Sequence, residues 1–348
     1  MPTHYVGVDF HKSTSYLSVM NEFGTQVKSG RISNKREDLE AFLRPYPHAA
    51  AVLEAGRNWS YMYDWLEALC ERVALAHPLK VKAIASAKVK TDKIDSRVLA
   101  HLLRAGLIPM AHVPKEPTRE VREILRQRMF FVRLGTMAKN RIHTTIDRHP
   151  ELPVAPTKNI FAPASRPWFK SLPLSELERA SLEQDLKLLD ALKERIHESD
   201  GIVLKIFKTN EDARLLQSMP GFGVFLATLV ASEIDGVGRF PDPKKLAAYA
   251  GLVPSTYSSG PKTRHGGITK QGNKFLRWAF VEAIWPAIRK DPNLRQYYQR
   301  IKLRKGSNPA KVATARYLLT IAYHLLRDKR AYEPRPLPPP KASAQASA

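Results

Sequence analysis

Alternation of apolar and polar residues in the first hundred positions predicts an α/β domain. Five short segments have strand character, at residues 5–10, 15–20, 26–32, 49–53 and 73–76. Helical stretches are predicted at residues 35–43, 59–70 and 94–103. The predicted order is three strands, followed by a helix, a strand, a helix, a strand and a helix. This is the order found in RNase H-like domains. We therefore predict such a domain over residues 1–115.

Two apolar stripes of helical period predict a pair of long helices in residues 116–210. The stripe positions are Val121, Ile124, Leu125, Val132 and Leu134, and then Leu182, Leu186, Leu189, Leu192, Ile196 and Val203. A proline-rich connector separates the two stripes. This pattern predicts an antiparallel or coiled-coil arm. It fits a structural spacer as well as an oligomerisation device.

The third region, residues 211–330, is predicted to combine helices with a loop rich in glycine and serine. A Pro-Gly-x-Gly segment containing Gly221 and Gly223 lies between two helical patterns and resembles a helix–hairpin–helix motif. Such glycines let backbone amides approach a phosphate near a helix N-terminus. A tight helix connection is the alternative interpretation. Residues 331–348, rich in Pro, Ala and Ser, are predicted to be a disordered tail.

The net charge of the chain indicates what kind of molecule it binds. The chain has 56 Lys and Arg against 33 Asp and Glu, a formal net charge of +23. A chain this basic attracts polyanions, most commonly nucleic-acid phosphates, although a solubilising surface is the alternative. The single cysteine, Cys70, excludes an internal disulfide framework and fits a reducing compartment, so we expect a cytoplasmic protein. The absence of an 18-residue apolar run predicts no membrane span.

Four carboxylates stand at predicted strand ends and at a helix start. Asp9 and Glu54 end strands, and Asp92 and Asp95 lie three positions apart, on one face of a predicted helix. Mg²⁺ prefers such hard oxygen ligands, together with waters and substrate phosphates. Two ions could stabilise both oxygens of a phosphoryl transfer. We predict a Mg²⁺ site made by these four residues. A solvated or ion-paired role is the alternative for any one of them.

Basic residues surround these acids and recur in an acid-free stretch at 261–277. A substrate that is itself a polyanion would explain them, whereas a solvated surface is the alternative. The residues predicted to bind nucleic acid are Lys88, Lys90, Lys93, Arg97, Lys262, Arg264, Lys270, Lys274 and Arg277, with Gly221 and Gly223. A second acid-free stretch at 293–327 interleaves cations with Tyr297 and Tyr298, which suggests phosphate tracking with some base stacking.

Serines in the glycine-flanked segment 251–260 are a further candidate for chemistry. A serine hydroxyl in a basic loop can attack a phosphate and divide one difficult step into two. Spacing alone supports this only weakly, because serine-rich loops mostly form turns.

Several of these motifs, taken in order over about residues 5–330, resemble the DEDD-type insertion-sequence transposases, the family of bridge-RNA-guided recombinases. The segments that carry the resemblance are Val8-Asp9, Val52-Leu53-Glu54-Ala55, Thr91-Asp92-Lys93-Ile94-Asp95, Ser218-Met219-Pro220-Gly221, Gly251-Leu252-Val253-Pro254 and Ser259-Gly260. One departure is that the family often places Thr-Gly after Glu-Ala, where this chain has Gly56-Arg57-Asn58.

The resemblance implies an N-terminal fold like that of Holliday-junction resolvases, a coiled-coil arm and a C-terminal transposase domain. It also implies that Asp9, Glu54, Asp92 and Asp95 bind Mg²⁺. Ser259 would attack DNA and form a phosphoserine link, with Ser258 as the neighbouring alternative. Family members assemble as tetramers, with the arm joining protomers, so we expect a homo-oligomer, from dimer to tetramer. A noncoding bridge RNA pairs with donor and target DNA, so that base pairing reads the sequence.

The function expected from the sequence is therefore RNA-guided cleavage and exchange of DNA strands by an insertion-sequence transposase. The first alternative is a metal-dependent, structure-specific DNA nuclease that forms no covalent intermediate. The second is a nucleic-acid-binding protein without activity, against which the four intact acids argue.

Overall fold

The computed structural model describes residues 2–85, 91–259 and 262–334, without the side chains of 256–265. Two compact units divide the chain, residues 1–114 and 115–348. The first is a mixed α/β unit and the second is mostly helical, which confirms the α/β-plus-helical fold class at this level. No helix among the described residues is both long and apolar enough to cross a membrane.

A five-stranded sheet forms the centre of the first unit, in the order β3-β2-β1-β4-β5. Strands β1, β2 and β3 are antiparallel, whereas β1, β4 and β5 run parallel. The predicted strands are confirmed. The elements are β1 (His4–Phe10), β2 (Thr14–Asn21), β3 (Gln26–Ser33), α1 (Arg36–Leu43), β4 (Ala49–Glu54), α2 (Trp59–Leu69), β5 (Arg72–Ala76), α3 (Pro78–Ile84) and α4 (Asp92–Arg104).

Helices cover both faces of this sheet, because alternate residues of its central strands are apolar on each side. Val8 and Leu53 pack with the apolar side chains of α1 and α2, and Val52 packs with those of α4. Gly7 allows α4 to lie against β1, since a Cβ there would stand 1.9 Å from the backbone oxygen of Ser96. The contact fixes α4 beside the end of β1.

Two long helices begin the second unit, as predicted. They are α5 (Glu116–Ile146) and α7 (Glu176–Thr209), with the short α6 (Arg166–Ser171) between them. Ion pairs Arg128–Asp200 and Arg141–Asp185 show that α5 and α7 are antiparallel. Of the predicted stripes, positions such as Leu125, Leu182, Leu189 and Val203 are buried. Whether this pair acts as an arm between copies stays a prediction.

The remaining chain is helical around one apolar core, with a single described hairpin. The prediction of a loop for the glycine- and serine-rich segment is wrong. Most of the segment forms antiparallel strands, in which Ser259 pairs with Lys262. The predicted tail lies mostly outside the described residues. The elements are α8 (Glu211–Gln217), α9 (Val224–Ile234), α10 (Pro243–Tyr249), β6 (Pro254–Ser259), β7 (Lys262–Ile268), α11 (Lys274–Glu282), α12 (Ile284–Lys290), α13 (Pro292–Lys305) and α14 (Ser307–Asp328).

Candidate metal centre

Strand pairing brings Asp9 and Glu54 to the same edge of the sheet. The parallel register of β1 and β4 pairs Val8 with Leu53, so Asp9 and Glu54 are the next residues along two adjacent strands. Neighbouring strands lie about 4.8 Å apart. Asp9 shares the sheet face of Gly7, the face covered by α4. The alternation of side chains places Glu54 on this face too.

The first turn of α4 supplies the other two predicted acids. Thr91 caps the helix, with its hydroxyl oxygen accepting a hydrogen bond from the backbone N–H of Ile94 at 3.3 Å. Asp92 and Asp95 follow in the first turn, where the helix dipole favours negative charge. The helix begins at Asp92, two residues before the predicted start.

Asp9 and Asp92 meet at His11. Ligand atoms of these three side chains all lie within 4.8 Å of one another, a spacing that could hold a metal ion. His11 Nε2 lies 3.2 Å from Asp9 Oδ2 and 3.3 Å from Asp92 Oδ1. Asp95 is close enough to act on Asp9 through its charge. Glu54 is exposed and lies outside this three-residue group.

Burial, neighbouring carboxylates and basic partners all act on the pKa values of Asp9 and Asp92. Burial raises the pKa of the Asp9 carboxyl, His11 opposes that effect, and the charges of Asp92 and Asp95 raise the pKa again. Desolvation by itself would raise the pKa of the Asp92 carboxyl. Hydrogen bonds from Arg31 and His11 outweigh this effect and hold the pKa below its ordinary value. A divalent cation beside these carboxylates would relieve their repulsion.

Two residues that contact these carboxylates are not among the predicted functional residues. One is His11, which lies two residues after Asp9 in the sequence. Arg31 comes from β3, where it donates hydrogen bonds to Asp92 Oδ2 at 2.6 Å and to Thr14 Oγ1 at 3.3 Å. Asp9 pairs with Tyr16, and Tyr16 pairs with Arg31, so the strand register carries Arg31 to this face.

The donor chemistry fits a divalent ion. The carboxylate oxygens of Asp9 and Asp92 suit Mg²⁺, and Glu54 and Asp95 stand on the same edge of the unit. The same carboxylates suit Mn²⁺, whereas an imidazole such as that of His11 suits zinc or iron. Lys93 and Arg97 are exposed on the same helix, whereas Lys88 and Lys90 lie outside the described residues.

The glycines of the predicted helix–hairpin–helix segment have different surroundings. Gly221, at φ +90°, is packed so closely that a Cβ would stand 2.4 Å from the backbone oxygen of Ala283. That contact favours the tight helix connection for Gly221. Gly223 is the residue before α9.

The predicted basic segment and its serines lie on the β6–β7 hairpin and just beyond it. Ser259 ends β6, opposite Lys262, and Ser258 pairs with Thr263. The side chains of Ser258, Ser259, Lys262 and Arg264 lie outside the described residues. Beyond the hairpin, Lys270 has a left-handed backbone, Lys274 starts α11, and Arg277 donates a hydrogen bond to the Ala250 carbonyl at 3.0 Å.

The α/β fold, with carboxylates at one end of its parallel strands, is consistent with the RNase H-like class of domain. Residues 6–150 match a transposase family of the DEDD type found in IS110 elements, and residues 213–299 match the IS116/IS110/IS902 transposase family. These matches cover more than half of the chain. The protein belongs to the IS110 family of transposases.

Relatives extend this similarity over nearly the whole chain. The transposase of insertion element IS1111A from Coxiella burnetii is 24% identical, over 94% of this chain and 90% of the relative. The IS1328 transposase of Yersinia enterocolitica is 23% identical, over 86% of both chains. A pilin gene-inverting protein of Moraxella bovis is 25% identical, over 96% of this chain and 99% of the relative.

Proposed function

We propose that this transposase cleaves and exchanges the DNA strands of an insertion sequence with a divalent ion, Mg²⁺ in the cell, held by Asp9, Asp92, Glu54 and Asp95. The observation that carries the proposal is the meeting of Asp9, His11 and Asp92 where β1 ends and α4 begins. When bound, the ion would neutralise charge that develops on a scissile phosphate.

The chain's own side chains have separate tasks in this proposal. Asp9 and Asp92 hold the ion, and Arg31 orients the Asp92 carboxylate through its 2.6 Å hydrogen bond. His11 links the two carboxylates. Lys93 and Arg97, exposed on the helix that begins at Asp92, would contact the phosphates flanking the reacting bond.

Ser259 is the proposed nucleophile. Its Oγ forms a bond to the scissile phosphorus as the bond to the leaving strand's oxygen breaks; the hydroxyl proton passes to solvent and the leaving oxygen is protonated. Attack by a new strand's hydroxyl reverses these changes and frees the serine. One phosphate ester replaces another at each step, so strands are rejoined without ATP. The resemblance to the family supports this role, and Ser258 is the alternative nucleophile.

A denaturing gel tests the proposal directly. Purified protein, Mg²⁺, the RNA that flanks the element and labelled junction DNA should give DNA shifted by covalent protein. Ser259→Ala should abolish the shifted band, with Ser258→Ala as its matched control. Asp9→Asn should reduce the band at least about a hundredfold, whereas Glu37→Gln, an exposed acid on α1, should leave it unchanged.

The possible outcomes separate the alternatives. Free cleaved DNA that depends on Asp9 but not on Ser259 would identify a metal-dependent nuclease without a covalent intermediate. Loss of the covalent band only in Ser258→Ala would move the nucleophile by one residue. Binding with no cleavage under any condition would leave a nucleic-acid-binding protein.

Guidance by a noncoding bridge RNA and assembly into a homo-oligomer, from dimer to tetramer, complete the proposal. Support comes from the family resemblance, and the net charge of +23 suits contact with two nucleic acids. Changing the RNA's pairing segment should redirect cleavage to the matching DNA. Cleavage at the original site with a changed RNA would refute guidance. Mass photometry of the protein with RNA and DNA would give the oligomer's size.

A further inference from the structure

Helices α12, α13 and α14 carry a group of aromatic and basic side chains that the proposed chemistry does not use. Its contacts form two clusters, one around Trp285 and one around Tyr297. The segment between Asp291 and Asp328 contains no acid. Among the residues that the structure describes, neither Arg300 nor Lys311 forms an ion pair. A surface of uncompensated positive charge is complementary to phosphates.

Trp285 is the most exposed aromatic ring of this group. It keeps 47% of its surface exposed. Its ring lies edge-on against buried Tyr298, with centroids 5.7 Å apart, and the Tyr298 hydroxyl is 2.9 Å from Ser307 Oγ. The Lys311 ammonium lies 5.0 Å from the Trp285 ring centroid. The indole is therefore held in place from one side while much of it stays open to solvent.

A second aromatic pair lies on α13 and α14. The rings of Tyr297 and Tyr317 are stacked, with centroids 4.8 Å apart and planes 26° from parallel. The Arg300 guanidinium lies 5.5 Å from the Tyr297 ring. Of the two neighbouring tyrosines noted in the sequence, only Tyr297 is partly exposed, because Tyr298 belongs to the core.

We propose that Trp285 and Lys311, with the Tyr297–Tyr317 pair and Arg300, bind a single strand of DNA that has left its duplex. Exposed aromatic faces next to cations are the arrangement that stacks unpaired bases while holding their phosphates. Bases inside a duplex already stack on one another and have no free face for Trp285. The proposal rests on the proposed function in one respect: strand exchange produces such a displaced strand.

Fluorescence anisotropy with the full-length protein provides the test. The probes are a labelled single-stranded DNA of about twelve nucleotides, the same sequence as a duplex, and the same sequence as RNA. Trp285→Ala should weaken binding of the single-stranded DNA about tenfold and leave the duplex affinity unchanged. Trp285→Phe, which keeps an aromatic face, should lose less. Lys311→Gln should lower the salt dependence of single-strand binding.

Trp278→Ala is the matched control, since Trp278 is an indole with 38% exposure on the adjacent α11. Equal losses for Trp278→Ala and Trp285→Ala, or equal losses of single strand and duplex, would overturn the proposal. Tighter binding of the RNA with the same dependence on Trp285 would overturn the choice of DNA. Thermal melting of each variant reports folding. The assay needs no cleavage, so its result is independent of whether Asp9 and Ser259 act as proposed.

Discussion

Arg31 and Asp92 lie 61 residues apart in the sequence and form one hydrogen-bonded ion pair. A guanidinium nitrogen of Arg31 lies 2.6 Å from Asp92 Oδ2, and the Arg31 side chain is 55% exposed. A cation already at Asp92 lowers the negative potential that would attract a divalent ion. Arg31 therefore both orients a ligand and competes with the metal.

Replacing Arg31 by Gln should strengthen Mn²⁺ binding about three- to tenfold, because one positive charge beside the carboxylates is removed. Isothermal titration calorimetry with Mn²⁺ would measure the affinity. Arg36→Gln is the matched control, since Arg36 is also 55% exposed but pairs with Glu40 on α1. Weaker binding in Arg31→Gln would mean that orienting Asp92 matters more than the competing charge.

The acids of the site are predictable from the sequence, whereas their basic partners are not, and the reason is physical. Asp9 and Asp92 stand at ends of elements that apolar periodicity reveals locally. Arg31 reaches them only through the register of β1, β2 and β3, which no local pattern encodes. His11 is close to Asp9 in the sequence. The direction of a side chain beyond the end of a strand, however, depends on the turn that follows, which the sequence pattern does not define.

At the scale of elements, α7 begins with a complete capping box. The Ser175 hydroxyl and the Glu178 carboxylate satisfy each other's backbone amides, and His149 Nε2 lies 2.8 Å from Glu178 Oε1. Hydrogen bonds from Ser175 and then His149 lower the pKa of Glu178 to about 2. Hydrogen bonds to Glu178 and Glu151 raise the pKa of His149.

These two shifts define a window of pH. The stabilisation that the Glu178 carboxylate contributes to the folded state is fully present above its unfolded pKa of 4.5. It is lost as the pH falls toward about 2. Stability from His149 is complete below its unfolded pKa of 6.5 and is lost as the pH rises through the raised folded value. The interaction is therefore strongest between these two unfolded values.

His149→Gln should lower the melting temperature at about pH 5.5 and have little effect at about pH 9, where the histidine is already neutral. Differential scanning calorimetry at both values would show it. His197→Gln, an exposed histidine on α7, serves as the control and should change neither. An equal loss at both pH values would show that packing of the ring, and not its charge, is what matters.

A buried carboxylate joins three helices of the second unit. Glu233 on α9 is fully buried, between Arg122 and Arg126 of α5 and the Asn273 side chain that caps α11. Removing the charge would leave Arg122, itself 8% exposed, without its anion. The first long helix is thus tied to the core that carries the hairpin.

Glu233→Gln should lower the free energy of unfolding by about 3–5 kcal/mol, the usual cost of breaking a buried ion pair from one side. Urea denaturation would measure it. Asp200→Asn, at an ion pair with Arg128 in which Asp200 is 44% exposed, should cost less than about 1 kcal/mol. Similar losses in both variants would contradict a special role for burial at Glu233.

Which elements were predictable follows from their composition. The strands of the first sheet and the long helices α5 and α7 have clear apolar periods. The β6–β7 hairpin has no such period, because Ser, Thr, Gly and basic residues occupy most of its two strands, and its sequence therefore predicts a loop. Helix α3 was missed because Val81 is its one buried side chain.

For the whole molecule, a charge of +23 on 348 residues sets how binding responds to salt. Neutralised phosphates release their counterions, so the affinity for DNA falls steeply as salt rises. Duplex affinity should fall at least about a thousandfold between about 50 and 200 mM KCl. Anisotropy at several salt concentrations would measure the slope. A flat response would mean that the positive charge serves solubility alone.

The close contact at Gly7 has a consequence for how this family can vary. Asp9 and Asp92 are carried by one strand and one helix that touch backbone to backbone, so their separation does not depend on the length of the chain between them. Insertions or deletions in the intervening loops, including the divergent Gly56-Arg57-Asn58, should therefore be tolerated by evolution. A larger residue at position 7 should be far rarer among functional copies than any such change in loop length.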